Sequence, residues 1–130
     1  MIVDVPNLED VKDLFDPIPE GRYTFTVVKV EKKVGEDSGY DYLNWETSCQ
    51  DSEYQNKRVW LITSLKPETE DSKDARFMLK RFLNALSVDY AGGAFDTDDC
   101  LNQKVDFQVT VEEYEGKPKN VVTGIFPASA

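Results

Sequence analysis

The 130-residue sequence contains no histidine and only two cysteines, Cys49 and Cys100. Histidine is the commonest general base and metal ligand, so the usual centre of an active site is missing. The cysteines lack the partners and spacing of zinc, redox or nucleophilic sites, and no Gly-rich phosphate loop or G-x-S-x-G motif occurs. The acidic run "DTDDC" (residues 96–100) lacks the glycine and distal Glu of a calcium loop. We therefore expect a protein that is not an enzyme and needs no cofactor or metal.

Basic residues are scarce, since 15 Lys and Arg stand against 25 Asp and Glu, giving a formal charge of −10. Such a balance argues against nucleic-acid binding through a broad electrostatic surface. The sequence also has no apolar run long enough to cross a membrane and no signal-peptide pattern. Its 40% hydrophobic and 12% aromatic residues favour a folded globule over a disordered chain. We expect one soluble, cytoplasmic domain with no membrane partner.

The periodicity of apolar residues predicts three strands, one helix and two further strands within residues 20–127. The predicted strands are residues 21–34, 41–49, 57–65, 104–114 and 119–126, and the predicted helix is residues 72–88, capped by Asp71 or Ser72. An acidic extension, residues 1–19, precedes this domain, with a short helix predicted over residues 7–15. In the first strand the apolar residues change parity, which requires a bulge or a bend.

This order of elements is that of a mainly β fold, the five-stranded OB barrel, which carries one helix between its third and fourth strands. In that fold, strands 2 and 3 and the loops after strands 1 and 4 bind oligonucleotides or oligosaccharides. An open α+β sheet with the helix packed on one face is the alternative.

Strands 2 and 3 predict a binding face. If Leu43, Trp45, Thr47 and Cys49 point into the core, then Tyr42, Arg58 and Trp60 point outward together. Bases stack on aromatic rings while cations contact phosphates, as single-stranded DNA binding requires. The candidate DNA-binding residues on this face, at its edges and on the last hairpin are Tyr40, Tyr42, Lys57, Arg58, Trp60, Lys66, Tyr114, Lys117 and Lys119.

Two features count against this interpretation. Glu46 points onto the same face, and Trp60 with Ile62 could instead form a homodimer interface or lie beneath the acidic extension. The alternative function is an acidic protein–protein interaction module, an adaptor or a nucleic-acid mimic, whose carboxylates contact the partner.

Three short motifs carry a family resemblance that extends over residues 15–126. They are Pro19-Gly21-Tyr23 before the first strand, Asn56-Arg58 at the start of the third strand and Tyr114-Gly116-Lys117 in the last hairpin. In this order they resemble a family of small phage-encoded proteins with an OB-type fold, described as uncharacterised or as single-stranded-DNA-binding. The resemblance implies a sequence-tolerant DNA-binding protein of phage replication or recombination, acting in the host cytoplasm. Many single-strand binders end in an acidic tail that recruits partner proteins, whereas this sequence ends "GIFPASA". Either recruitment of replication or recombination proteins uses another surface, such as the acidic extension, or the chain is not a recruiter.

Overall fold

The computed structural model describes residues 1–10, 17–36, 39–70 and 73–128, and within them the chain forms a five-stranded antiparallel sheet and one α-helix. The strands are β1 (Gly21–Val34), β2 (Asp41–Cys49), β3 (Arg58–Ser64), β4 (Lys104–Tyr114) and β5 (Lys117–Pro127). The helix, α1 (Phe77–Leu86), lies between β3 and β4 in the chain. The predicted mainly β fold, with three strands, a helix and two strands, is confirmed.

The strand order in the sheet is β3-β2-β1-β4-β5, so the long β1 lies at its centre. β1 pairs with β4 over residues 21–26 and with β2 over residues 25–34. The register with β2 shifts between Val27 and Lys29, which is the irregularity that the change of parity predicted. Among the described residues, the edge strands β3 and β5 approach each other without forming a hydrogen-bonded ladder, so the sheet curls but does not close into a barrel.

The core lies between the inner face of this sheet and α1. Its centre is a group of aromatic rings: Trp45 packs edge-on against Phe82 at 4.8 Å, and Phe107 lies 5.2 Å from Phe25 and 6.0 Å from Phe82. The inward positions predicted on β2, which are Leu43, Trp45, Thr47 and Cys49, are all buried. Alternation of side chains along β2 therefore separates a core face from an outer face, as predicted.

The helix is shorter than its apolar pattern predicted. It begins at Phe77, and Asp74 organises the preceding turn because its carboxylate accepts hydrogen bonds from the backbone N–H (2.9 Å) and guanidinium (2.9 and 2.6 Å) of Arg76. The proposed caps, Asp71 and Ser72, lie outside the described residues. The buried residues of α1 include Leu79, Phe82 and Leu83, which lie on one apolar face of the helix.

The acidic extension is attached to the sheet at Ile18. This residue is buried, and its backbone N–H and C=O form hydrogen bonds, both 2.9 Å, with the side-chain amide of Asn120 on β5. A single 3-10 turn spans Leu8–Asp10, and residues 11–15 of the predicted first helix lie outside the described residues. The described helices include none that is both long and apolar enough to cross a membrane.

Candidate nucleic-acid interface

The outward side chains of β1, β2 and β3 lie in cross-strand rows. The strand register aligns Lys29 with Glu46 and Trp60, and two further rows follow along the strands. The surface formed by these rows, together with the outward Arg58, is called the outer face, and its residues are Lys29, Glu31, Lys33, Tyr42, Asn44, Glu46, Arg58, Trp60, Ile62 and Ser64. Tyr42, Arg58 and Trp60 share the outer face, as the alternation on β2 and β3 predicted, but the register places Tyr42 opposite Ser64, two rows from Trp60.

Trp60 lies where two hollows of the surface meet. The first hollow, about 170 Å³, is on the outer face and is lined by Trp60 together with Lys29, Lys33 and Asn44, as well as two carboxylates. The second, about 230 Å³, lies between the edge strands β3 and β5 and contains Trp60 and Ile62 on one side and Lys119 on the other. If a planar group of a ligand stacked on Trp60, the charged backbone of that ligand could therefore continue into either of the two hollows.

Three cations and two carboxylates share the outer face. The Glu31 carboxylate forms ion pairs with Lys29 Nζ at 2.6 Å and with Lys33 Nζ at 3.6 Å. Arg58 Nε lies 3.6 Å from Glu46 Oε2. The hydrogen bond from Lys29 is the main reason why the pKa of Glu31 is lowered, and the same bond raises the pKa of Lys29. The two pairs of Glu31 are exposed, and exposed ion pairs are weak, whereas the Arg58–Glu46 pair is half-buried. A phosphate can therefore replace the carboxylate partner of Lys29 and Lys33 at small cost.

Two aromatic–cation pairs flank the outer face. Lys66 Nζ lies 5.5 Å from the centre of the Tyr40 ring, and Lys119 Nζ lies at the same distance from the Tyr114 ring. Tyr114 and Lys119 belong to the β4–β5 hairpin, whose two turn residues have φ values of 52° and 79°, the left-handed geometry that two-residue hairpins favour. Lys117 follows this turn and is exposed. Since Lys119 also lines the hollow at Trp60, the hairpin and β3 contribute to one continuous surface.

Lys57 is the exception among the predicted contact residues. It was expected as an exposed cation at the edge of the face, but its exposed fraction is only 5%. Lys57 has the same strand parity as Val59 and Leu61, which are buried, so its side chain turns inward while that of Arg58 turns outward. The expectation of an exposed Lys57 was wrong.

Sequence reasoning missed the contribution of β1. Lys29 and Lys33 lie on the outer face because the bulge after Val27 moves the odd-numbered residues of β1 from the core to the solvent side. The change of parity among the apolar residues of β1 signals this bulge. The same change also turns the charged residues after Val27 to the solvent side. Asn44 was not among the predicted contact residues: within the described residues its Oδ1 is buried and accepts no hydrogen bond, and the side chain lines the hollow at Trp60.

The acidic turn at Thr97–Asp99 and the two cysteines are not part of the outer face. Asp96 accepts a hydrogen bond from the backbone N–H of Asp98 at 2.9 Å and so caps the turn Thr97–Asp99. Across the part of the chain that the structure describes, no group of three or more His, Cys, Asp or Glu is arranged to hold a metal ion. Both cysteines are buried, and burial raises the pKa of Cys49 and raises that of Cys100 to about 11.

Comparison with known proteins places the whole of this arrangement in one family. The family model described as "Protein of unknown function (DUF669)" matches residues 3–129. The chain belongs to the DUF669 family. The match includes all five strands, α1 and every residue of the outer face, so the surface described here lies within the DUF669 region. Among curated proteins, none matches the chain.

Proposed function

We propose that this DUF669 chain is a sequence-tolerant single-stranded-DNA-binding protein that acts in phage DNA replication or recombination. The observation that carries the proposal is the position of Trp60, which joins the hollow of the outer face to the cleft between β3 and β5. Cations from three strands, Lys29, Arg58 and Lys119, surround it. Base stacking combined with a cationic path for the backbone is the general basis of sequence-tolerant single-strand binding.

The strand arrangement supports an OB-type barrel as the scaffold. The edge strands β3 and β5 are neighbours across the cleft. The strands of the curled sheet therefore follow one another in the cyclic order β1-β2-β3-β5-β4. An OB fold is a partly open five-stranded barrel that uses the face of strands 2 and 3 and the loops after strands 1 and 4 to bind oligonucleotides. The loop after β1 leads to Tyr40, and the loop after β4 leads to Lys117 and Lys119. The aromatic and basic residues therefore lie where such a fold presents its ligand.

The electrostatics of the site favour a single strand over a duplex. The chain carries a formal charge of −10, whereas the outer face carries three cations and two carboxylates. A duplex would bring its dense phosphate charge against the acidic surroundings of this small face and would keep its bases stacked away from Trp60. A single strand needs only a few phosphate contacts and offers its bases to the ring.

The acidic interaction module remains the second candidate, because Glu31 and Glu46 lie on the outer face itself. In that function the carboxylates, and not the cations, would contact the partner. Glu46→Gln separates the two functions, since it removes the charge that pairs with Arg58. A DNA-binding face should gain affinity from this substitution, and an acidic module should lose it.

The experiment is a titration of a short fluorescently labelled single-stranded oligonucleotide, followed by anisotropy at low and moderate salt. The wild-type chain is compared with Lys29→Ala/Lys33→Ala, with Glu46→Gln and with Lys104→Ala, an exposed lysine at the start of β4. We expect the double variant to weaken binding about tenfold, Glu46→Gln to strengthen it and Lys104→Ala to leave it unchanged. Absence of binding at low salt and high micromolar protein would refute DNA binding.

A further inference from the structure

A second aromatic and basic surface lies on α1, apart from the outer face. α1 contains Lys80 and Arg81 and no acidic residue, and its first residue, Phe77, is 63% exposed. These side chains border a groove of about 370 Å³ between α1 and the end of β5, which Asn84, Ala85, Ile125 and Pro127 also line. Within the described residues, Lys80 and Arg81 form no ion pair. A groove that combines apolar side chains with two cations suits an acidic segment that also carries apolar side chains.

The first ten residues have this character. The side chains of Ile2, Val3, Val5 and Leu8 are 93%, 70%, 49% and 57% exposed. Asp4 and Glu9 are exposed between and beside them. Apolar side chains exposed together in this way mark an interaction site.

We propose that residues 1–10 of one protomer bind the groove between α1 and β5 of a second copy of the chain. The apolar side chains of the segment would cover Phe77 and the floor of the groove, while Asp4 and Glu9 would pair with Lys80 and Arg81. The segment and the groove are complementary in charge on a chain that is otherwise strongly acidic.

The position of the segment in the folded protomer favours a second copy as its source. Ile18 is held at Asn120, near the start of β5, whereas the groove lies at Ile125 and Pro127, near its end. In the folded monomer residues 1–9 are exposed throughout, and the groove is not filled by the chain's own segment.

A contact between two different surfaces is heterologous, and such contacts add protomers head to tail. The groove on α1 and β5 is distinct from the hollows at Trp60, so the outer face of each protomer stays accessible. The association itself does not depend on DNA. If the proposed DNA binding is correct, it would make binding along a strand cooperative.

The test measures self-association of the full chain by sedimentation velocity in the absence of DNA. A groove variant, Lys80→Glu/Arg81→Glu, and a segment variant, Asp4→Lys/Glu9→Lys, reverse the charge on each side of the contact. The matched control, Lys32→Glu/Lys104→Glu, makes the same charge change as the groove variant at exposed positions outside the groove.

We expect concentration-dependent association of the wild type and of the control. Each variant alone should associate at least about tenfold more weakly, as charge reversal at a contact predicts. An equimolar mixture of the two variants should associate again, because the native segment of the groove variant meets the native groove of the segment variant.

Three outcomes would overturn the proposal. The first is a wild type that stays monomeric at all concentrations, and the second is a groove variant that associates like the control. The third is a mixture that fails to restore association, which would mean that the segment and the groove do not contact each other. Because no DNA is present, failure here is distinct from failure of the proposed DNA binding.

Discussion

Trp45→Ala should strongly destabilise the fold. The Trp45 side chain is fully buried, packs edge-on against Phe82 at 4.8 Å, and donates a hydrogen bond from Nε1 to Thr63 Oγ1 at 2.9 Å. Truncation of a buried aromatic residue to alanine costs about 3–5 kcal/mol because both the burial and the packing are lost. The substitution also leaves the buried Thr63 hydroxyl without this donor, so we expect the upper part of that range.

Urea denaturation followed by far-UV circular dichroism measures this loss. Trp45→Phe keeps an aromatic ring against Phe82 but removes the donor to Thr63, and we expect it to cost about 1–3 kcal/mol. In a thermal scan, Trp45→Ala should lower Tm by about 12–25 °C, at roughly 3–5 °C per kcal/mol for a domain of this size. Trp60→Ala, on the outer face, should change stability by less than about 1 kcal/mol. A loss below about 1 kcal/mol for Trp45→Ala would refute the assignment of this residue to the core.

Further predictions concern the ligand, the thiols and Lys57. With about four phosphate contacts, the logarithm of DNA affinity should fall with the logarithm of salt concentration at a slope near −3, and a slope steeper than about −6 would mean that more cations bind than the outer face offers. Duplex DNA of equal length should compete poorly with the single strand in an anisotropy assay, and equal affinity would exclude the outer face as the site. Cys49 and Cys100 should resist a thiol-reactive dye until the chain unfolds. Because the folded-state pKa of Cys100 is raised from 9.0 to about 11, the stability that its protonated form contributes is complete below pH 9 and is lost as pH rises to about 11. Denaturant titrations across that range should show the decline, and a flat profile would contradict it. Lys57→Met should alter folding stability while leaving the affinity of the folded protein for DNA unchanged, since Lys57 is buried.

Most of the fold was predictable because buried and exposed residues alternate along each strand, and this alternation is visible in the sequence. β4 has the predicted bounds, Lys104–Tyr114, and its alternating Val105, Phe107 and Val109 are all buried. Alternation on β2 likewise identified Trp45 as a core residue and Tyr42 as an outer one. These predictions needed only the two-residue period of a strand.

The parts of the site that sequence missed depend on where one strand bends and on which strands meet. The bulge after Val27 decides that Lys29 and Lys33 join the outer face, and although apolar parity signals the bulge, the row that each lysine joins depends on the register with β2. The cleft that places Lys119 opposite Trp60 arises from the curl of the whole sheet, between residues 59 positions apart in the chain. The pairing of Arg58 with Glu46 follows from the register of β2 and β3, which the sequence also left open.

The central claim is that Trp60 stacks on a base of single-stranded DNA. The most direct measurement is the ratio of the dissociation constants of Trp60→Ala and the wild type for one short single-stranded oligonucleotide at low salt. Loss of one stacked base is worth about 1–3 kcal/mol, so the ratio should lie between roughly 5 and 150. Phe126→Ala, which removes a partly exposed ring from the other edge of the sheet, is the matched control and should give a ratio near one. If folded Trp60→Ala bound the oligonucleotide with the same affinity as the wild type, the account would be contradicted.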